Sequence, residues 1–460
     1  MTTPHDLTAL SVEELATLLA ERRISSVELT DACLDRIARH NDALHAFIAV
    51  YAEEARATAK AADLARGAGY ALGPLHGIPF GLKDLVDIEG KVTTGGSKVW
   101  AKRVSPTTGS LVRRLVASGM IIAGKTHTVE FAFGAWGTNQ HMGTPRNPWD
   151  MRQHRTPGGS SSGSGVAVSS RMVPWAIGTD TGGSVRIPSA MCGLTGLKTT
   201  VGQIPTDGIL PLSETLDSVG PLARSAADAA ILYAALRGQG ICLPHAGSVR
   251  SIKGLRLARM PDDERSGVEA EVLAAYDESL GQLADLGAEI VPVALPYKFS
   301  EFAAMTSDLI AIEGYAHVGP IIDDAALPVD EAVRARFKPA RSMLASTYLA
   351  LLQKRDRMRA AMETALADVD ALLTPTAPMT AAPVSEVDGP GLVPSHFTRM
   401  VNMTGGCALA VPNGFSPNGL PTSLQIICAA NDEATALHIG RTYQGVTDWH
   451  RRAPALEGSG

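Results

Sequence analysis

The sequence predicts an α/β fold organised as one large domain, and three observations carry that prediction. The first 66 or so residues show helix-period apolar spacing with capping signals. Between residues 75 and 221, short apolar runs alternate with helix-like segments, and Gly, Ser and Thr crowd the joints. Short strand-like runs return after residue 370, late enough in the chain to close onto the early core.

Ser11 with Glu14 reads as a capping box, followed by Leu15, Leu18 and Leu19 on one face. Ser25 with Glu28 repeats the signal, and Leu29, Cys33 and Ile37 then recur at four-residue spacing. The Ala-rich stretch 43–66 reads as helix throughout, and the glycines of 67–73 break it. Ile78-Pro79-Phe80-Gly81-Leu82 and Met120-Ile121-Ile122-Ala123 read as strands. Residues 225–237 read as helix. Runs at 255–258 and 290–293 read as strands flanking a helix over 268–286. Residues 296–370 are mainly helical, with an amphipathic stretch over 341–369. Leu372 to Thr376, Ala408 to Val411 and Leu424 to Ile427 read as further strands. No internal repeat or long linker divides the 460 residues.

Composition excludes several classes. Hydrophobic residues are 45% and charged residues 19%, so the chain can bury a large core. The net charge is −6 and no basic block stands out, which argues against a nucleic-acid partner. No apolar run is long enough to span a bilayer, and the start lacks a signal-peptide pattern. The five cysteines (Cys33, Cys192, Cys242, Cys407 and Cys428) are scattered without a Cys-x-x-Cys pair. They read as buried free thiols of a cytoplasmic protein. The twelve histidines form no metal-ligand pattern, so no metal is expected.

The strongest local feature is Gly158-Gly159-Ser160-Ser161-Ser162-Gly163-Ser164-Gly165. Read alone, it suits a flexible linker. A packed apolar pattern resumes at Val166, however, and a second cluster follows: Gly178-Thr179-Asp180-Thr181-Gly182-Gly183-Ser184-Val185-Arg186-Ile187-Pro188. Neither cluster has the lysine of a phosphate-binding loop. Gly159 to Gly163 also fits Gly-x-Ser-x-Gly, but that elbow should follow a strand, and residues 151–157 are polar and turn-like.

Together the two clusters resemble the signature of the amidase signature family, serine hydrolases acting on carboxamides. The separation of Ser160 and Ser184 is the usual one for that family. The resemblance extends to the strand-like run from Leu75 to Asp84, to Glu130-Phe131-Ala132-Phe133-Gly134 and Arg146-Asn147-Pro148-Trp149. It continues through Cys192 to Lys198, Leu216 to Pro221, Gly419-Leu420-Pro421 and Leu424-Gln425-Ile426. Recognisable features thus run over about residues 7–454. Ser162 and Thr199 depart from the Gly and Pro common at those positions. The resemblance implies a single α/β/α domain with a mixed central sheet surrounded by helices: N-terminal helices over 1–66, the signature core over 75–221, and a helical lid or specificity region over 296–370.

By matching position, the resemblance implies a Ser–Ser–Lys triad with Ser184 as nucleophile, Ser160 as bridge and Lys83 as base, and a cis peptide bond between Gly159 and Ser160. Such chemistry suits amide cleavage, which needs a strong nucleophile, a stabilised oxyanion and a protonated leaving amine. Backbone N–H groups of Thr181, Gly182, Gly183 and Ser184 are expected to form the oxyanion hole. Lys83 sits in an apolar sequence context that favours a neutral amine, although a surface ion pair with Asp84 is the competing reading. Asp180, Arg186, Ser161 and Ser164 are expected to fix the loops. His76, His141 and His154 lie near the motifs, but nothing in their spacing selects a Ser–His–Asp triad. Phe131, Phe133 and Gly134, with Trp136 beside them, are expected to line the acyl pocket, or equally to pack in the core. Phe299, Phe302, Met305, Leu309 and Ile310 suggest a preference for apolar groups.

The expected activity is hydrolysis of a small-molecule carboxamide to a carboxylate and ammonia or an amine through an acyl-enzyme, with no cofactor, no membrane, and a homodimer left open. Urea- or biuret-type hydrolysis is an alternative on the same fold. The glutamine-hydrolysing component of a tRNA-dependent amidotransferase is another. That component normally carries Arg-Tyr-Asp-Gly, missing here, and an Asp seven residues before its late Asn-Leu-Ala-Gly, where this chain has Ser395 ahead of Asn402. A non-catalytic scaffold is disfavoured because all three triad residues are retained.

Overall fold

A computed structural model describes residues 6–240, 243, 251–387 and 391–456. Its strands are β1 (Phe47–Val50), β2 (Pro79–Lys83), β3 (Ile121–Thr126), β4 (Ala176–Asp180), β5 (Thr195–Lys198), β6 (Ser218–Ala223), β7 (Arg256–Arg259), β8 (Glu289–Pro292), β9 (Ala371–Pro375), β10 (Cys407–Phe415) and β11 (Pro421–Cys428). Among the described residues they form one eleven-stranded mixed sheet, ordered β1-β3-β2-β4-β6-β5-β10-β11-β9-β7-β8. The late strands do close onto the early core, because β10 pairs antiparallel with β5. One sheet therefore carries strands from both the early and the late parts of the chain.

The helices surrounding the sheet are α1 (Val12–Ala20), α2 (Ser26–Leu44), α3 (Ala52–Gly67), α4 (Ser110–Ala117), α5 (Ser162–Ser169), α6 (Arg186–Met191), α7 (Ala226–Arg237), α8 (Ala270–Asp285), α9 (Phe299–Asp323), α10 (Glu331–Phe337), α11 (Ala345–Ala365), α12 (Arg399–Thr404) and α13 (Glu433–Val446). Both expected capping boxes form, at Ser11 with Glu14 and Ser25 with Glu28. Each satisfies N–H groups that the first helical turn leaves without partners.

One N-terminal expectation is corrected. Residues 43–66 are not one helix: α2 ends at Leu44, β1 follows, and α3 begins at Ala52. His45, at φ 51°, turns the chain out of α2. Asn41 then bridges the turn, its side chain bonding both the N–H and the carbonyl of Phe47. The central strands β2, β4, β5, β6, β9 and β11 are buried along their whole length, as their apolar runs require. Four cysteines are buried thiols; Cys242 lies outside the described residues.

Candidate active site

Lys83 ends β2, and β4 lies beside it in the sheet, delivering Thr179 and Asp180. The loop before α5 supplies Ser160, and the turn between β4 and α6 supplies Ser184. Lys83 and Ser160 are completely buried; Ser184 is 8% exposed and faces a cleft. Lys83 Nζ lies 2.8 Å from Ser160 Oγ and 2.8 Å from Thr179 Oγ1. Neither contact is a carboxylate, and burial pushes the amine down to about 7, against weaker opposing pulls from Asp217 and Asp180. A neutral amine so placed can accept a proton from one hydroxyl while donating to the other.

The ion pair between Lys83 and Asp84 does not form. Asp84 instead meets Lys125 of β3, at 3.2 Å, and accepts from the Thr94 N–H and hydroxyl. Successive side chains at a strand leave on opposite faces, so adjacent residues diverge. Thr179 is a residue that sequence reasoning did not single out as a contact of Lys83. The signal was present, since Thr179 precedes Asp180 in the second cluster.

The loop before α5 has the expected cis bond between Gly159 and Ser160. The Gly159 N–H donates to Ala135 O at 2.7 Å, and a Cβ at Gly159 would sit 2.5 Å from Gly134 O. The Ser160 carbonyl accepts from the Val129 N–H and the Thr128 hydroxyl, and the Ser161 N–H reaches Ser184 O at 3.3 Å. No strand leads into this loop, so the Gly-x-Ser-x-Gly elbow lacks its context. Ser164 donates to Ile177 O and also meets the Thr126 hydroxyl, tying α5 to the sheet; Ser161 makes a longer contact with Thr179 O, at 3.4 Å.

The turn bearing Ser184 is built around a buried ion pair. Arg186 contacts both Asp180 oxygens, at 2.8 and 3.0 Å, and donates to Thr398 O, Gln425 Oε1 and Asn402 Oδ1. Burial alone would raise the Asp180 carboxyl, but the Arg186 charge and hydrogen bonds hold it well below the carboxylate range. Asp180 also accepts from the N–H groups of Gly183 and Val185, at 2.8 and 3.1 Å. This modifies the expected oxyanion hole: the Gly183 N–H is already committed to Asp180. The Gly182 and Ser184 N–H groups make no hydrogen bond among the described residues. Thr181 is held by its hydroxyl, which donates to half-buried Asp217 at 2.5 Å. Gly183 is at φ 128°, and a Cβ there would meet Thr398 Oγ1 at 2.4 Å, so the position demands glycine.

The cleft has about 580 Å³ of empty space, counting its open mouth. Phe133, Gly134, Trp136, Gly159, Thr181, Gly182 and Ser184 line it, with Ile310, Arg336, Ser395 and Arg399 across from them. Phe131 does not reach it. With φ at 49°, Phe131 turns into the core and meets the Trp100 ring edge-on, with centroids 5.0 Å apart. Of the apolar residues expected from α9, only Ile310 lines the cleft; Phe299, Phe302, Met305 and Leu309 are core. The two arginines were not foreseen, because α10 and α12 converge only in three dimensions. His76, His141 and His154 make no hydrogen bond to Ser160 or Ser184. No group of His, Cys, Asp and Glu among the described residues could hold a metal ion, and no described helix is long and apolar enough to cross a membrane.

The amidase family profile matches residues 28–437. The chain belongs to the amidase family. It is accordingly a hydrolase of carbon–nitrogen bonds. A 2-amino-5-chloromuconic acid deaminase from Comamonas testosteroni is 36% identical over 440 residues, covering 94% of each chain. A glutamyl-tRNA(Gln) amidotransferase component from Chloroflexus aggregans is 35% identical over 98% of this chain and 99% of its own. A crystal structure of an amidase superposes with a TM-score of 0.87 at 29% identity, over 95% of this chain and 99% of that one.

Proposed function

We propose that this amidase-family enzyme cleaves the C–N bond of a small-molecule carboxamide through an acyl-enzyme, with Ser184 as nucleophile, Ser160 as proton bridge and Lys83 as base. The observation that carries the reading is the buried amine beside the Ser160 hydroxyl, with its pKa lowered to about 7 by burial. Near neutral pH much of Lys83 is then uncharged.

Ser184 Oγ attacks the carbonyl carbon as its proton passes to Ser160 and the Ser160 proton passes to Lys83. The carbonyl π electrons move onto oxygen, which the Gly182 and Ser184 N–H groups stabilise. Collapse of the tetrahedral adduct breaks the C–N bond, and the relay run in reverse delivers the Lys83 proton to the leaving nitrogen. Water then attacks the acyl-enzyme, its proton following the same route, and the carboxylate leaves with Ser184 restored.

The test is kcat/KM for a matched amide and ester across pH 5 to 10. In the wild type the acid limb should rise through about pH 7, because protonated Lys83 cannot accept a proton. Ser184→Ala should abolish turnover and labelling by a fluorophosphonate. Lys83→Ala should lose more on the amide than on the ester, whose leaving group needs less protonation. Equal losses on both substrates with an unmoved acid limb would assign the base elsewhere.

A further inference from the structure

The wall facing Ser184 carries charge that amide hydrolysis does not itself require. Arg399, the first residue of α12, packs its stem over the Gly182 turn: a Cβ at Gly182 would lie 3.6 Å from Arg399 Cγ. One guanidinium nitrogen, Nη1, is anchored to Ala303 O and Ser307 Oγ of α9, at 2.6 and 2.7 Å. These are neutral acceptors, and among the described residues Arg399 forms no ion pair. Arg336 lines the same cleft, fixed by donation to Phe133 O at 2.7 Å. Burial and the nearby Arg336 charge push the Arg399 guanidinium down to about 10, so it remains cationic at neutral pH.

A second, independent observation lies four residues before Arg399. Ser395 also lines the cleft, is 2% exposed, and its hydroxyl has no hydrogen-bond partner among the described residues. A buried hydroxyl without a partner is costly unless a ligand completes it. A half-buried guanidinium with free donors beside such a hydroxyl matches the chemistry of a carboxylate, which accepts from both.

Resting on the hydrolase reading above, we infer that the substrate is a small amide that also carries a carboxylate, held by Arg399 and the Ser395 hydroxyl over the Gly182 turn. Arg336, on the same cleft, adds positive potential. The apolar residues Ile310 and Phe133 flank this anion site and contact the chain between carboxylate and amide.

The test compares three substrates of similar length: the mono-amide of glutaric acid, with the carboxylate on the acyl side; an N-acyl glycine, with it on the leaving amine; and neutral butyramide. At least one carboxylate-bearing amide should exceed butyramide in kcat/KM by about 10- to 100-fold, the range of a charge-assisted hydrogen bond. Whichever arm is preferred places the carboxylate. In Arg399→Met that ratio should fall by about tenfold or more. Because Arg399 also ties α12 to α9, Ser395→Asp provides a second reading: a protein carboxylate beside Arg399 should lower the ratio comparably. A wild-type ratio near one, or a ratio unmoved in either folded variant, would overturn the inference. Fluorophosphonate labelling of Ser184 separates the two readings. Labelled enzyme with a flat ratio loses only the carboxylate site, whereas unlabelled enzyme loses the hydrolase reading and this inference with it.

Discussion

Replacing Lys83 with Met should stabilise the protein below pH 7 and destabilise it above pH 10. Lys83 is fully buried without a contacting carboxylate, and its pKa falls from 10.5 to about 7. The unfolded chain therefore binds a proton between these values that the folded chain does not, so wild-type stability rises with pH across that window. Below pH 7 both states are protonated and the full penalty applies, on the order of 5 kcal/mol from the size of the shift. At pH 9.5 only about 1 kcal/mol of it remains. Met removes that penalty but leaves the Ser160 and Thr179 hydroxyls without the amine, at about 1 kcal/mol each. The variant should thus be about 2–3 kcal/mol more stable than wild type at pH 6.5, with its advantage falling by about 3 kcal/mol between pH 6.5 and 9.5. Urea unfolding of both proteins at the two pH values measures this. A stability difference independent of pH, or a Lys83→Met protein less stable at pH 6.5, would refute the buried neutral amine.

Asp180→Asn should leave the Arg186 charge buried without its counter-ion, costing about 3–5 kcal/mol and lowering the thermal midpoint. Its slower fluorophosphonate labelling of Ser184 would report the loosened turn. Gly183→Ala places a methyl 2.4 Å from Thr398 Oγ1 in a left-handed backbone and should reduce kcat by at least about 10²-fold, whereas Gly90→Ala, with open space around it, should leave kcat unchanged. Thr181→Val removes the hydroxyl bond to half-buried Asp217; a loss of about 1–3 kcal/mol in stability is expected, read by urea midpoint.

How far these features could be read from sequence depended on whether their partners were local. The caps at Ser11 and Ser25 act within four residues, so they were legible, and so were the strands flanking α8. β1 was not, because four residues of modest burial become a strand only through pairing with β3, over seventy positions away. The two clusters stood out through their density of Gly and Ser, and the family resemblance pointed to Lys83, Ser160 and Ser184. What Lys83 contacts was decided by strand geometry, which separates it from Asp84 and brings it to Thr179. The Gly183 N–H looked available until Asp180 was seen to occupy it. Sequence left Phe131 open between pocket and core, and its left-handed backbone, which sequence does not reveal, turns the ring inward. Arg336 and Arg399 carried no motif at all and share a cleft with Ser184 only because α10 and α12 fold over it.

The anchors of Arg186 have a consequence for synthesis. Thr398, Asn402 and Gln425 lie 212, 216 and 239 positions further along the chain. At about 5–20 residues per second, a ribosome exposes Gln425 roughly 10–50 s after Arg186. Until then the nascent chain holds a serine, a lysine and an arginine without the scaffold that aligns them. The candidate site is therefore completed late in translation, after helices α9, α10 and α11 have already been made.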